Sequence, residues 1–182
     1  TTSTRPIYIP CLTDKGQTYS YIYKSEEIRK DYLVMSIMKL VNQILLEEGL
    51  DMFIVTYNVL PTSTQGGLIE IIVDADTIYN INVKRHFTIL NYIIEHNQHV
   101  SIDLLRQKFI RSTAVYCVLT YLLGIGDRHL DNIMVTSDGR LFHIDYSFIF
   151  GQESKPIAPK IKINAEMIDA IGGINSQYYH QF

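Results

Sequence analysis

The stretch 124–145, GIGDRHLDNIMVTSDGRLFHID, constrains this chain more than any other. Two apolar runs, Ile133-Met134-Val135 and Leu141-Phe142-His143-Ile144, flank the turn Ser137-Asp138-Gly139. An Asp-Gly turn between apolar runs predicts a β-hairpin. A hairpin returns the chain to its starting end, so Asn132 and Asp145 are expected side by side. An amide oxygen beside a carboxylate suits a hard cation such as Mg2+, which takes few protein ligands. Asp127 and His129 lie just upstream, as alternative candidates to accept the proton of an attacking hydroxyl. Such a set belongs to phosphoryl transfer.

The rest of the chain reads as strands first and helices after. Gln17 to Lys24 alternates tyrosines with smaller residues and predicts a strand. Residues 26–48 predict a helix, with Leu33, Ile37, Leu40 and Ile44 as its apolar stripe and Gly49 as C-cap. Met52 to Leu60 and Leu68 to Val73 predict two strands, joined by the turn Pro-Thr-Ser-Thr-Gln-Gly-Gly. A mostly helical region is expected from Asp74: one helix over 87–96, and a longer one capped by Ser101 and running to about Leu123. After the hairpin come a Pro-containing loop over 151–163 and a helix from about Asn164. This order predicts an α+β fold.

Composition narrows the function classes. Of 182 residues, 47% are hydrophobic and 19% charged, enough for a core. A net charge of −3 argues against a nucleic-acid binder. Cys11 and Cys117 stand far apart, giving no disulfide framework and favouring a reducing, cytoplasmic setting. The apolar run from Ala114 to Gly126 is too short to span a bilayer and predicts a buried helix.

Asp127-Arg128-His129-Leu130-Asp131-Asn132 resembles the catalytic loop of the phosphoinositide 3-kinase and 4-kinase superfamily, and His143-Ile144-Asp145 the start of its metal-binding segment. Lys24, EEIRKD at 26–31, YNVLP at 57–61 and GLIEII at 67–72 resemble the family's small lobe, in order. KPIAPKIKINAEMIDAIGG at 155–173 is most similar to the class III phosphatidylinositol 3-kinases. The resemblance implies a two-lobed, protein-kinase-like fold: 1–73 as part of a β-rich N-lobe through the hinge, 74–182 as part of a helical C-lobe. The missing initiator Met and the helix-like stretch at Gln181-Phe182 suggest truncation at both ends, with the first strand, most of the phosphate-covering loop and C-terminal helices absent.

The same resemblance assigns roles. Asn132 and Asp145 would bind Mg2+ or Mn2+, Lys24 would neutralise the ATP phosphates, and Asp31 and Tyr57 would form the inner pocket. The backbone of Glu70 and Ile72 would bond adenine, with Ile69 lining the pocket. His129 would take the hydroxyl proton, Asp127 would orient loop and hydroxyl, and Arg128 would brace the loop. Lys155, Lys160 and Lys162 would meet an anionic headgroup. The implied reaction makes phosphatidylinositol 3-phosphate on endosomal or autophagic membranes, with regulatory subunits as partners. Rival readings are a 4-kinase, a related protein Ser/Thr kinase, or a degenerate kinase-fold scaffold. One departure stands out. Where the family has Asp-Phe-Gly, this chain has Asp145-Tyr146-Ser147. Ser removes a residue free to take φ > 0, so a stiffer or differently posed segment is expected.

Overall fold

A computed structural model describes residues 6–152 and 161–182. It is α+β, with a four-stranded and a three-stranded antiparallel sheet. The larger sheet has the order β1-β2-β4-β3, built from Ile7–Leu12, Thr18–Lys24, Gly66–Glu70 and Val59–Ser63 respectively. Strand β1 had no sequence signal, because Pro10 interrupts its pattern. The strand survives because it lies at a sheet edge, where a residue without an N–H costs no interior ladder bond. Pro61 in β3 sits on the opposite edge, at a register shift.

The expected strand over Met52 to Leu60 is corrected. Residues 52–58 join no ladder, and β3 begins at Val59. Phe53 adopts φ 53, which breaks an extended run. Ile54, Val55 and Tyr57 are nonetheless buried, and the Tyr116 hydroxyl donates to Val55 O at 2.7 Å. A side chain thus does the work of a neighbouring strand. Strand β4 ends at Glu70, short of the expected Val73, although Ile71 N still donates to Ser20 O at 2.7 Å.

Helix α1, Arg29–Glu47, packs on β3. Its buried face holds Asp31, Val34, Met35 and Met38. The expected stripe points the other way: Leu33, Leu40 and Ile44 are 40%, 57% and 50% exposed. Val34, Met38, Val41 and Leu45 carry the same spacing as Leu33, Ile37, Leu40 and Ile44, shifted by one residue. Periodicity alone cannot choose between them; contact with the sheet does.

The chain past Asp74 starts with a strand, not a helix. Strand β5, Ala75–Thr77, is three residues long and pairs with β6, Ile133–Thr136, which pairs with β7, Leu141–His143. A short π-helical turn follows at Asn80–Lys84, then α2, Ile89–His96, and α3, Ile102–Leu122. Ser101 is the N-cap residue of α3 but makes no side-chain cap bond. Buried Ser112 on α3 donates to Lys108 O and accepts Leu141 N at 2.9 Å, tying the hairpin to the helix. Gly139, at φ 91, closes the hairpin as its sequence required. Helix α4, Ala165–Ile171, is capped by Asn164, whose side chain accepts Met167 N at 2.9 Å, and α5 spans Gln177–Gln181. Among the described residues no helix is long and apolar enough to cross a membrane.

Candidate active site

A cleft opens between the two sheets. Lys24 from the end of β2, Asp31 from the first turn of α1, Tyr57 just before β3, Ile69 and Glu70 from β4, and Ile72 line one side; Asn132 and Asp145 at the two ends of the hairpin line the other. Every residue expected to hold nucleotide or metal therefore meets in one cavity. Ile22, Ile71, Met134, Phe142 and Ile144 complete its apolar walls and were not singled out from sequence. A signal existed for three of them. Side chains two apart share a strand face, so Met134 follows from Asn132, and the register Met134↔Phe142 carries the face across to Phe142 and Ile144.

The charges of the cleft balance one another. Asp31 is 5% exposed, and burial raises its carboxyl to about 6 against the pull of Lys24 and of Tyr146 N–H. Lys24 is held above its ordinary range: burial opposes its charge, but the bond to Glu26 at 2.9 Å and the fields of Asp145 and Asp31 outweigh burial. Asp145 is held below the usual carboxylate range, because the Ser147 hydroxyl, Lys24 and Arg128 overcome its burial. It is therefore ionised at neutral pH. Tyr57 is buried, meets Phe142 edge-on at 6.4 Å, and stays neutral because burial pushes its hydroxyl well up.

The loop before β6 is built around Arg128, which is 5% exposed. Its Nε donates to Gly126 O at 2.8 Å, Nη1 to Ile144 O at 2.7 Å, and Nη2 to Asp145 O. The guanidinium also stacks over the Tyr146 ring at 5.4 Å. One side chain thus joins the loop to the strand end that carries Asp145. Asp127 takes φ 53, and its carbonyl accepts Asn132 Nδ2 at 3.0 Å. That bond leaves Asn132 Oδ1 as the atom available to a ligand. His129 is half exposed, with Nε2 3.9 Å from Asp127 Oδ2 and Nδ1 3.9 Å from Asp131 Oδ2. His129 and Asp127 stand beside the cavity rather than among its lining residues. His143 is buried, packs on Tyr116 at 5.1 Å and stays neutral, burial and Arg128 both holding its pKa well down.

One expectation changes here. Ser147 does not occupy a left-handed position; Asp145 does, at φ 60. Asp is among the residues that tolerate that region best. The replacement of Gly by Ser therefore adds no backbone strain, and the Ser147 hydroxyl instead donates to Asp145 Oδ1 at 2.6 Å. At the other wall, Glu70 N already donates to Asn58 O at 2.8 Å, and Glu70 Oε2 accepts Asn58 N at 2.8 Å. Of the two backbone groups of Glu70, the carbonyl is then the one that can face a base. Among the described residues nothing bonds the backbone N–H of Ile72. Lys162 is partly buried after the 151–160 stretch, while Lys155 and Lys160 lie outside the described residues.

Comparison with known proteins agrees with this geometry. Residues 18–102 and 81–182 match the profile of the family described as phosphatidylinositol 3- and 4-kinase. Phosphatidylinositol 3-kinase VPS34 of Saccharomyces cerevisiae is 39% identical over 99% of this chain and 21% of its own length. Phosphatidylinositol 3-kinase pik3 of Schizosaccharomyces pombe is 36% identical over 98% of this chain and 23% of its own. VPS34 of Arabidopsis thaliana is 38% identical over 93% and 21% respectively. The chain thus spans about a fifth of the length of these curated relatives. On the matched profile and the ordered residues of the cleft, the chain belongs to the phosphatidylinositol 3- and 4-kinase family.

Proposed function

We propose that this chain carries the catalytic site of a phosphatidylinositol 3-kinase, transferring the γ-phosphoryl of ATP to the 3-hydroxyl of phosphatidylinositol. The observation that carries the reading is the meeting of Lys24, Asp31, Tyr57, Asn132 and Asp145 in one cleft, from segments far apart in sequence. In this reading the two sheets belong to two lobes, 1–73 and 74–182, with ATP between them and its base against Ile72 and the Glu70 carbonyl. Ile22, Ile69, Met134 and Ile144 exclude water from the base. Lys24 neutralises phosphate charge.

Asn132 and Asp145 would hold Mg2+ or Mn2+. The fit rests on the donor set: an amide oxygen whose nitrogen is bonded to Asp127 O, and an ionised carboxylate, both hard oxygen ligands on residues lining one cavity. The ion, when bound, neutralises charge on the phosphate oxygens. His129, half exposed beside the cleft, accepts the proton of the 3-hydroxyl as its oxygen bonds to the γ-phosphorus and the bond to the β,γ-bridging oxygen breaks. Asp127 orients the loop and the hydroxyl, and ADP leaves. Lys155, Lys160 and Lys162 receive the headgroup. Three lysines and no arginine in that loop suit one phosphodiester better than a bisphosphate. The substrate sits in a membrane surface, so the protein works at the cytoplasmic face of endosomal or autophagic membranes, with regulatory subunits. The relatives named as 3-kinases support the choice of hydroxyl.

The test is a lipid-kinase assay of the full-length protein with phosphatidylinositol, its 4-phosphate and its 4,5-bisphosphate. The expected product is the 3-phosphate isomer, with at least about tenfold preference for the unphosphorylated lipid. A 4-phosphate product, peptide phosphorylation without lipid turnover, or nucleotide binding without transfer would assign the chain to a 4-kinase, a protein kinase or a scaffold respectively.

A further inference from the structure

We propose that Lys30 is a positioning residue for Asp145, acting through the backbone of Ser147. The inference rests on the kinase reading above and extends it to a residue outside the cleft.

Lys30 and Asp31 stand side by side in the first turn of α1, and both reach the segment that follows β7. Lys30 Nζ donates to Ser147 O at 2.7 Å and to Gln152 Oε1 at 3.0 Å, contacts that bridge 117 and 122 residues. Asp31 Oδ1 accepts Tyr146 N at 3.3 Å. From within the segment, the Ser147 hydroxyl donates to Asp145 Oδ1 at 2.6 Å. The chain of contacts therefore runs from the Lys30 ammonium to the Ser147 carbonyl, then through Ser147 to the Asp145 carboxylate.

Asp145 needs such support. Strand β7 stops at His143, so no sheet ladder holds the two residues before Ser147. Asp145 itself takes the left-handed φ of 60, which persists only where surrounding contacts impose it. Arg128 fixes the carbonyls of Ile144 and Asp145, and Tyr146 is buried with its hydroxyl donating to His143 O at 2.9 Å. These contacts hold the chain up to Tyr146. Ser147 is exposed, and its carbonyl takes its side-chain donor from Lys30; beyond it, Gly126 N donates to Phe148 O at 2.9 Å, and Phe150 N and Gly151 N donate to Leu123 O and Gly124 O at 2.8 and 2.9 Å. Without that bond the Ser147 carbonyl loses its side-chain donor between the anchors at Tyr146 and Phe148, and its hydroxyl is set less firmly against the Asp145 carboxylate. The charged neighbours that act on Asp145 directly are Lys24 and Arg128; Lys30 acts by geometry.

The experiment uses the full-length protein with Lys30→Met, Lys30→Arg and Ser147→Ala. Hydrogen exchange reads the amides of 146–152, and kinase assays read the dependence on Mg2+. Lys30→Met is expected to speed exchange over 146–152 by about tenfold or more while leaving the interior of α1 protected. It should raise the Mg2+ concentration for half-maximal rate by about tenfold, the scale at which outer partners of metal ligands act, with kcat at saturating Mg2+ changed less than about twofold. Lys30→Arg restores both. Ser147→Ala should shift the Mg2+ dependence without loosening the segment. Unchanged exchange over 146–152 in Lys30→Met, loss of protection along all of α1, or an unshifted Mg2+ dependence overturns the proposal. If the wild-type protein shows no phosphoryl transfer, the proposed function falls, and the exchange data alone decide whether Lys30 holds the segment.

Discussion

Replacing Asp31 by Asn isolates the cost of keeping a carboxylate inside this fold. Asp31 is 5% exposed, and burial lifts its pKa from 3.8 to about 6. The separation of those values, at about 1.36 kcal/mol per pKa unit, corresponds to about 3 kcal/mol. The sign follows from proton linkage. A carboxyl whose folded pKa is raised binds its proton more tightly in the fold than in the unfolded chain. Its contribution to stability is fully present below 3.8 and is lost as pH rises through about 6. Above that pH, ionised Asp31 opposes folding by about 3 kcal/mol, net of its attraction to Lys24. An amide of the same shape still accepts Tyr146 N–H but carries no charge to desolvate. Asp31→Asn should therefore stabilise α1 by about 1–3 kcal/mol at pH 8. The advantage should shrink to nothing as pH falls from 6 toward 4. Hydrogen exchange of α1 amides in metal-free, nucleotide-free full-length protein gives the opening free energy locally, whatever other domains do. The informative quantity is the mutant minus wild-type difference at each pH. A difference that is zero at pH 8, or that does not change between pH 4 and 8, refutes the reasoning. The same mutant should lose function, since a destabilising buried charge at a site is retained for what it does there.

Three further outcomes follow from the site. Asp145→Ala should lower lipid-kinase turnover of the full-length protein by more than about a thousandfold, because a charged metal ligand contributes several kcal/mol to the transition state; residual activity above about a tenth of wild type would remove Asp145 from that role. Arg128→Met leaves the carbonyls of Gly126, Ile144 and Asp145 without their donors, and a loss of about 3 kcal/mol is expected in the local opening free energy of 126–146. A loss below about 1 kcal/mol in the same exchange measurement would mean that water replaces those bonds freely. Tyr146→Phe keeps the ring under Arg128 and removes the hydroxyl, with its bond to His143 O and its contact with the Tyr116 hydroxyl, so exchange around 143–146 should report a cost of about 1–2 kcal/mol, with Asp145-dependent turnover retained.

Local chemistry made much of this protein readable in advance. The Asp138-Gly139 turn specified the hairpin, and the hairpin by itself brought Asn132 toward Asp145; Ile144 N indeed donates to Asn132 O at 3.0 Å. Helix α2, most of α3 and the start of α4 near Asn164 stand within a few residues of where the sequence predicts them. The family resemblance supplied Lys24, Asp31 and Tyr57 as cleft residues, which composition and spacing alone would have left as surface or core.

What lay beyond the sequence depended on partners distant along the chain. Two stripes of α1 have the same spacing, and only the sheet selects which is buried. Strand β1 exists despite Pro10 because it is an edge, a property of sheet order and not of its own residues. Residues 52–58 look like a strand, yet Phe53 breaks the extended backbone and Tyr116, far down the chain, satisfies Val55 O. The same holds at Asp145: Ser147 suggested a backbone handicap, but the left-handed residue is the aspartate, held there by Arg128. Sequence sets turns, caps and periodic faces because those are short-range hydrogen bonding and sterics. Tertiary structure decides which face, which edge and which carbonyl find a partner, because burial and hydrogen-bond satisfaction are properties of the packed whole.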